Sequence, residues 1–340
     1  MHVSSGAGDD TQHAYTRLGN PTWEALESAL GALEDAPALT FASGQAATMA
    51  LVLALCAERK RLVVPNDGYY GARKLMTELA AFGVELVPVD LGQLDAVRDA
   101  LAGAPAVLWA ETPTNPFLNV HDLEALAQAA RNVDAPLVVD NTTATAALQR
   151  PLDLGATATI TSLTKSASGH SDVLLGAVAT RDAALLERLR HWRTIGGGIP
   201  GPFEAWVAHR GLLTLPLRIE RQSQNAHALA THLASHARVL VVHYPGFDPK
   251  TAELARRQLP KGAGPLLSFE LEGDAAAAER VVRAARLITP ATSFGGVESS
   301  WERRARWASE TAPENLIRLS VGIEDEGDLK SDLDAALAQA

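Results

Sequence analysis

The stretch ATITSLTKSASGHSDVLLGAV, residues 158–178, decides how the rest of the chain is read. Two short β-prone runs, 158–163 and 173–179, flank a turn of small residues that displays one lysine, Lys165. Ser162, Thr164, Ser166 and Ser168 surround that amine with small hydroxyls, so an anionic or carbonyl ligand can approach it without meeting an aliphatic wall. Strand ends beside Ser, Gly and Thr are where open α/β sheets hold ligands. A lysine there becomes a Schiff-base nucleophile when burial and neighbouring positive charge lower its pKa. A solvated lysine closing a strand is the plainer alternative, and this segment alone leaves both open.

Length and composition set the frame. At 340 residues the chain accommodates one large or two ordinary domains. A formal charge of −10, spread without long like-charge blocks, argues against a basic nucleic-acid face. Cys56 is the single cysteine, which excludes intramolecular disulfides and Cys-based zinc sites within one chain, and no metal is expected. No run approaches the roughly 18 apolar residues of a membrane span, and residues 1–14 lack the order of a signal peptide, so the cytoplasm is the expected compartment.

Residues 1–14 are small, polar and aperiodic, and read as an arm. Asn20-Pro21 then provides an N-cap and a first-turn proline, and Trp23, Leu26, Leu30 and Leu33 recur at helical spacing. After a brief strand at 39–41, Ser43-Gly44-Gln45 opens an Ala-rich helix whose free N–H groups suit either a phosphate or water. From residue 61 strand runs (61–65, 84–89, 106–111, 136–141) alternate with helical runs, the pattern of a mostly parallel sheet with helices on both faces. Each strand ends in polar groups: Asn66, Asp67 and Tyr69; Glu111, Thr112 and Asn115; Asp140, Asn141 and Thr142. Such ends converge on one edge of the sheet.

The run Gly196–Gly201 matches G-x-G-x-x-G but follows a helix and contains Pro200, so it reads as a loop. One long helix is expected from Pro202 to about His236, with His232 and His236 facing solvent. Past residue 237, strand and helix runs indicate a smaller α+β unit. Trp301–Trp307, WERRARW, is expected to be a solvated helix face with a packed Trp. Arg318 lies in the apolar run LIRLSVGI, either as an outward-facing alternate or as a ligand anchor.

Seven ordered motifs then stand together: YTRLGNPT (15–22), FASGQAA (41–47), ETPTNP (111–116), VVDNT (138–142), SLTKSASGHSDV (162–173), SFGGVES (293–299) and LIRLSVGIED (316–325). From Tyr15 to the C-terminus the chain resembles the Cys/Met-metabolism family of pyridoxal-phosphate enzymes, the family of cystathionine γ-lyase and cystathionine γ-synthase. The resemblance implies a type I PLP-dependent transferase fold, with a large, mostly parallel seven-stranded sheet domain and a smaller C-terminal α+β domain. The implied boundaries are an arm over 1–22 that serves the neighbouring subunit, a cofactor domain over 23–215 and a small domain over 216–340.

It also implies roles. Lys165 is similar to the lysine that takes the cofactor aldehyde and later shuttles protons, and Asp140 to the aspartate facing the pyridine nitrogen. Tyr69 matches the ring-stacking, proton-transferring aromatic, with Tyr70 in reserve. Gly44, Gln45, Ser162 and Thr164 match the phosphate cradle, completed by Tyr15 and Arg17 from a second subunit of a homodimer or homotetramer. Arg318 resembles the grip on the substrate α-carboxylate, assisted by Asn115 and Ser293. The expected reaction is γ-elimination, with cystathionine giving cysteine, 2-oxobutyrate and ammonia. γ-Replacement by a synthase or sulfhydrylase is the alternative; a methionine γ-lyase and a PLP-binding protein without turnover are further ones. Where the family often has His-Pro-Ala after the glycine loop, this chain has Glu302-Arg303-Arg304-Ala305, in the region that lines the substrate entrance.

Overall fold

The computed structural model describes residues 13, 15–307 and 312–340; apart from His13, the arm expected over 1–14 lies outside the described residues. The strands of the first sheet are β1 (Ala38–Phe41), β2 (Arg61–Pro65), β3 (Glu85–Val89), β4 (Ala106–Glu111), β5 (Leu137–Asp140), β6 (Ala158–Ser162) and β7 (Gly176–Thr180). They lie in the order β1-β7-β6-β5-β4-β2-β3, with β2 to β6 parallel and β7 antiparallel to both β6 and β1.

This sheet is covered on both faces, which is why its strands are nearly continuous apolar runs. Every residue of β4 is buried, and its side chains alternate between two cores. Val107 and Trp109 join Leu62, Val64, Val138 and the helix Gly44–Leu55 on one face. Leu108 and Ala110 join Val63, Val139 and the helix Leu123–Arg131 on the other. Because β2, β4, β5 and β6 run parallel, the residues after each of them emerge on the same edge.

Local chemistry fixes the helix starts. Asn20 accepts a hydrogen bond from Thr22 N–H (2.9 Å) and Pro21 occupies the first turn, as the sequence predicts. Ser43 caps the next helix through Ala46 N–H at 3.1 Å. A Cβ at Gly176 would fall 2.5 Å from Ser43 O, so only glycine on β7 lets this helix start settle against the sheet.

The second sheet contains β8 (Val239–His243), β9 (Leu266–Leu271), β10 (Thr289–Pro290), β11 (Ser300–Arg303) and β12 (Leu316–Ser320), in the order β10-β11-β12-β9-β8. Phe269, Ile317, Leu319 and Trp301 form its core with the helices Ala275–Ala284 and Glu326–Leu337. Among the described residues no helix is long and apolar enough to cross a membrane.

Three expectations are corrected. The run from Pro202 to His236 is two helices, Pro202–Leu212 and Leu215–Ala234. Pro216 has no N–H to give a preceding turn and fits only the first turn of a helix, so the chain restarts there. His232 and His236 are half-buried, not solvent-facing, and His232 Nε2 lies 2.6 Å from Asp334 Oδ1. WERRARW is not a solvated helix face: its first residues belong to β11 and Arg304–Arg306 form a single 3-10 turn. Pairing of β11 with β12 turns Glu302 inward, to 1 % exposure, and Arg304, at 3 %, follows it as its ion-pair partner.

Candidate active site

The loops that leave β2, β4, β5 and β6 meet the start of the helix Gly44–Leu55 around a pocket of about 280 Å³. Gly44, Gln45, Tyr69, Asn115, Asp140, Ser162, Thr164, Lys165, Ser293 and Arg318 all line it, and so does Tyr70. Tyr15 and Arg17 are not among its lining residues. Tyr15 is exposed, the Arg17 guanidinium sits 5.1 Å from its ring centre, and Arg17 Nη1 donates to Thr194 O at 3.2 Å.

Lys165 sits on a tight turn directly after β6. Its N–H bonds Ser162 O (3.1 Å) and its carbonyl accepts from Gly169 N–H (2.9 Å). The side chain turns inward, where Nζ donates to Ser293 Oγ at 2.6 Å and lies 5.1 Å from the Phe294 ring centre. Burial, then the Arg318 charge, lowers the Lys165 pKa to about 8, against an opposing pull from Glu302. The inward side chain and its bond to Ser293 exclude the solvated-lysine reading. Gly295, at φ 86°, lets the second-sheet loop pack on this turn, because a Cβ there would collide with Ser166 N.

Two carboxylates stand side by side in register, Glu111 ending β4 and Asp140 ending β5. Glu111 accepts from Tyr69 N–H (2.6 Å) and Asn115 N–H (2.8 Å), so one buried acid aims two loops at the pocket. Burial, then the neighbouring Asp140 charge, raises its pKa well above the carboxylate range. Burial also raises that of Asp140, against two bonds from Thr142. Asp140 forms no salt bridge among the described residues and accepts Thr142 N–H at 3.0 Å. A half-buried carboxylate without a cation is the group that a protonated pyridine nitrogen would complete.

The opposite end of the pocket suits an anion. Ser43 engages the N–H groups of Ala46 and Ala47, which leaves those of Gly44 and Gln45 at the helix start. Ser162 presents its hydroxyl there while its N–H bonds Thr142 Oγ1 at 2.9 Å. The Thr164 hydroxyl is engaged with the backbone, accepting Leu175 N–H (3.1 Å) and donating to Leu175 O (3.2 Å). Cationic-ring and phosphate positions thus lie in one pocket with a lysine of lowered pKa, and these residues fit pyridoxal phosphate.

Arg318 is buried, which removes the outward-facing alternative. Nη1 donates to Asn115 Oδ1 (2.9 Å), and Nη2 to Ser293 O (2.8 Å) and Glu302 Oε1 (2.7 Å). Glu302 is a residue that sequence reasoning missed. Its carboxylate also takes Arg304 Nη1 at 2.5 Å, Arg306 Nη2 at 3.1 Å and Trp307 Nε1 at 3.1 Å. Burial pushes this carboxyl up, but Arg318 and Arg304 outweigh it and hold the group below its ordinary value. The available signal was an acid standing beside arginines in WERRARW.

The family described as Cys/Met metabolism PLP-dependent enzyme matches residues 2–338. A putative cystathionine gamma-lyase of Streptomyces coelicolor is 45% identical over 337 residues, covering 97% of this chain and 85% of the relative. A cystathionine gamma-synthase of Mycobacterium tuberculosis is 42% identical over 333 residues, covering 95% and 86%. The structure of cystathionine gamma synthase from Xanthomonas oryzae pv. oryzae in complex with cystathionine superposes with a TM-score of 0.95 at 41% identity, over 99% of this chain and 91% of that one. The type I fold and the cofactor implied by the sequence motifs are those of these relatives. With a match that runs from end to end and a pocket built for the cofactor, the chain belongs to the Cys/Met metabolism PLP-dependent enzymes.

Proposed function

We propose that this enzyme catalyses γ-elimination on cystathionine, releasing cysteine, 2-oxobutyrate and ammonia. The observation that carries the reading is the inward Lys165 amine, 2.6 Å from Ser293 Oγ, in one pocket with the cation-free Asp140 and the buried Arg318. When bound, pyridoxal phosphate supplies an aldehyde that condenses with amines and a ring that withdraws electrons from Cα. Asp140 balances the ring nitrogen, while Gly44 and Gln45 N–H and the Ser162 hydroxyl hold the phosphate. The Thr164 hydroxyl joins them when its proton turns from Leu175 O.

Arg318, steadied by Asn115 and Ser293, holds the α-carboxylate and so aims the Cα–H bond at Lys165 Nζ. Lys165 removes that proton and then moves one from Cβ, and Tyr69 stacks on the ring and protonates the leaving γ-sulfur. Burial, then Tyr70 and Asp140, raises the Tyr69 pKa, which keeps the phenol protonated and able to donate.

A second reading, taken from the names of the synthase relatives, is γ-replacement, in which a thiol takes the place of the γ-substituent. It needs the same residues. Incubation with cystathionine, and separately with an O-acyl homoserine plus cysteine, separates the two: keto acid from the first and no cystathionine from the second is the expected result. The reverse assigns a transferase.

The active unit is a homodimer or a dimer of dimers in the cytoplasm, with Tyr15 and Arg17 of one subunit completing the phosphate site of the other. The exposure of Tyr15 and the position of both residues outside their own pocket support this, as do the exposed Ile195, Phe203, Trp206, Leu213 and Leu217. The parts of one subunit are an arm over 1–22, a cofactor domain over 23–215 and a small domain over 216–340. Sedimentation of the holoenzyme, together with complementation of an R17A subunit by a K165A subunit, tests the shared site.

A further inference from the structure

On successive turns of the helix Leu215–Ala234, the buried side chains of Arg218, Gln222 and Asn225 each bond carbonyls of loops that lead into or out of the site. Arg218, 5 % exposed, donates from Nη1 to Ser166 O (2.8 Å) and from Nη2 to Ala167 O (3.1 Å) and Gly211 O (2.9 Å). Its Nε bonds Thr214 Oγ1 at 3.1 Å. The guanidinium therefore grips the two carbonyls that immediately follow Lys165. One turn on, Gln222 Nε2 donates to Gly296 O (2.7 Å) and Val321 O (3.1 Å). The first lies three residues after Ser293 and the second directly follows β12, the strand that holds Arg318. Asn225 continues the series to Gly322 O (3.1 Å) and Glu324 O (2.9 Å).

A buried guanidinium bonded to carbonyls instead of a carboxylate is a costly arrangement. Burial alone lowers the Arg218 pKa, to about 10. Among the described residues Arg218 forms no salt bridge, so its fork serves only to fix backbone. A rigid helix bonded at one turn to the lysine loop and at the next to the carboxylate-gripping loop sets the spacing between them, and small displacements of reacting groups carry large rate penalties.

We propose that Arg218 is a positioning residue for Lys165 and that Gln222 is its counterpart for the Ser293–Arg318 grip, the two acting from one helix as a ruler across the active site. The proposal rests on the reading of Lys165 as the cofactor-bearing amine. It assigns distinguishable effects to the two ends of the ruler. Displacing the lysine turn changes the proton-transfer step, whereas displacing the glycine loop changes how the substrate carboxylate is held.

The test uses Arg218→Lys and Gln222→Met holoenzymes beside the unaltered one, with borohydride reduction and peptide mapping to locate the cofactor on Lys165 in each. Arg218→Lys is expected to lower kcat about tenfold with KM within about threefold, and to move the lysine limb of the pH–rate and absorbance–pH profiles by half a unit or more. Gln222→Met is expected to raise KM about tenfold and to leave that limb in place. A purely structural role is the overturning result: both variants losing kcat and KM in parallel with their melting temperatures, and neither moving the limb. If Arg218→Lys does not accumulate as folded protein, the Gln222→Met pattern decides alone, and a shifted limb in that variant overturns the assignment. Absence of reduced cofactor from Lys165 in the unaltered enzyme removes the underlying reading as well, whereas its presence with unshifted profiles removes only the ruler.

Discussion

Lys165 Nζ and Ser293 Oγ lie 2.6 Å apart although 128 residues separate them in the chain. One belongs to the turn after β6 of the large sheet and the other to the loop between β10 and β11 of the small one, so this hydrogen bond joins the two sheets inside the pocket. Ser293 holds φ 81°, a left-handed conformation that costs a non-glycine residue about 1–3 kcal/mol. The bonds of its hydroxyl to Lys165 and of its carbonyl to Arg318 help to hold it in that conformation.

Replacing this serine separates strain from function. Ser293→Gly should raise thermal stability by up to about 1 kcal/mol, because glycine adopts positive φ without penalty. It should also lower kcat/KM about tenfold through loss of the hydroxyl. Ser293→Ala should lose the same activity without the gain in stability. Calorimetry paired with keto-acid kinetics checks both; a glycine variant that is less stable than the alanine variant contradicts the account.

Capture of the cofactor by the apoenzyme should be governed by the free amine of Lys165. Burial and Arg318 hold its pKa near about 8 instead of the ordinary 10.5, so the reactive fraction rises as pH approaches 8 and levels off above it. The rate of appearance of the lysine-bound absorbance, followed from pH 6 to 10, should level off about two units below an unperturbed lysine. The same lowered pKa means that the unfolded chain binds the extra proton between about 8 and 10.5, so this group makes apoenzyme stability rise with pH in that window.

Glu302 is the only carboxylate, among the described residues, that contacts Arg304, Arg306 and Arg318 together. Glu302→Ala leaves buried guanidiniums facing one another and should cost about 3–5 kcal/mol. Chemical denaturation should show that loss as a lower midpoint. Arg318, released from one of its tethers, should also hold substrate less well, raising KM more than it lowers kcat. Unchanged stability would mean that the carboxylate contributes nothing.

On the proposed role of Asp140 opposite the ring nitrogen, Asp140→Asn removes the charge while preserving shape and the acceptor for Thr142 N–H. Loss of one preorganised electrostatic contact of this kind costs on the order of 10²-fold in kcat. Cofactor content, measured by absorbance after dialysis, should fall far less. Equal losses in both would assign Asp140 to binding alone.

Much of this was legible in the chain. The alternation of strand and helix runs, the caps at Asn20 and Ser43, and the polar residues closing β4 and β5 are local signals, carried by periodicity and by backbone chemistry within a few residues. The same holds for the lysine turn. WERRARW misled because a run of charged residues reads as solvated, whereas pairing with β12 turns Glu302 inward and the ion pair with Glu302 brings Arg304 after it. The break at Pro216 had a local signal in the proline itself, outweighed by the apolar periodicity on either side.

The seven motifs carried the resemblance that implied the fold and the cofactor, both of which the relatives share, and they pointed to Lys165 as the candidate amine. Tertiary structure decided what surrounds that amine: the Phe294 ring, the Glu302 carboxylate shared among arginines, and the helix whose Arg218 and Gln222 bond both halves of the site. The Phe294 contact with Lys165 and the bonds of Arg218 and Gln222 to the site loops join residues 50 or more positions apart, as Arg218 and Ser166 are at a separation of 52, whereas Glu302 meets Arg318 across 16. No periodicity or propensity encodes such a meeting; it follows from how two sheets pack, and the lysine's lowered pKa follows from that packing.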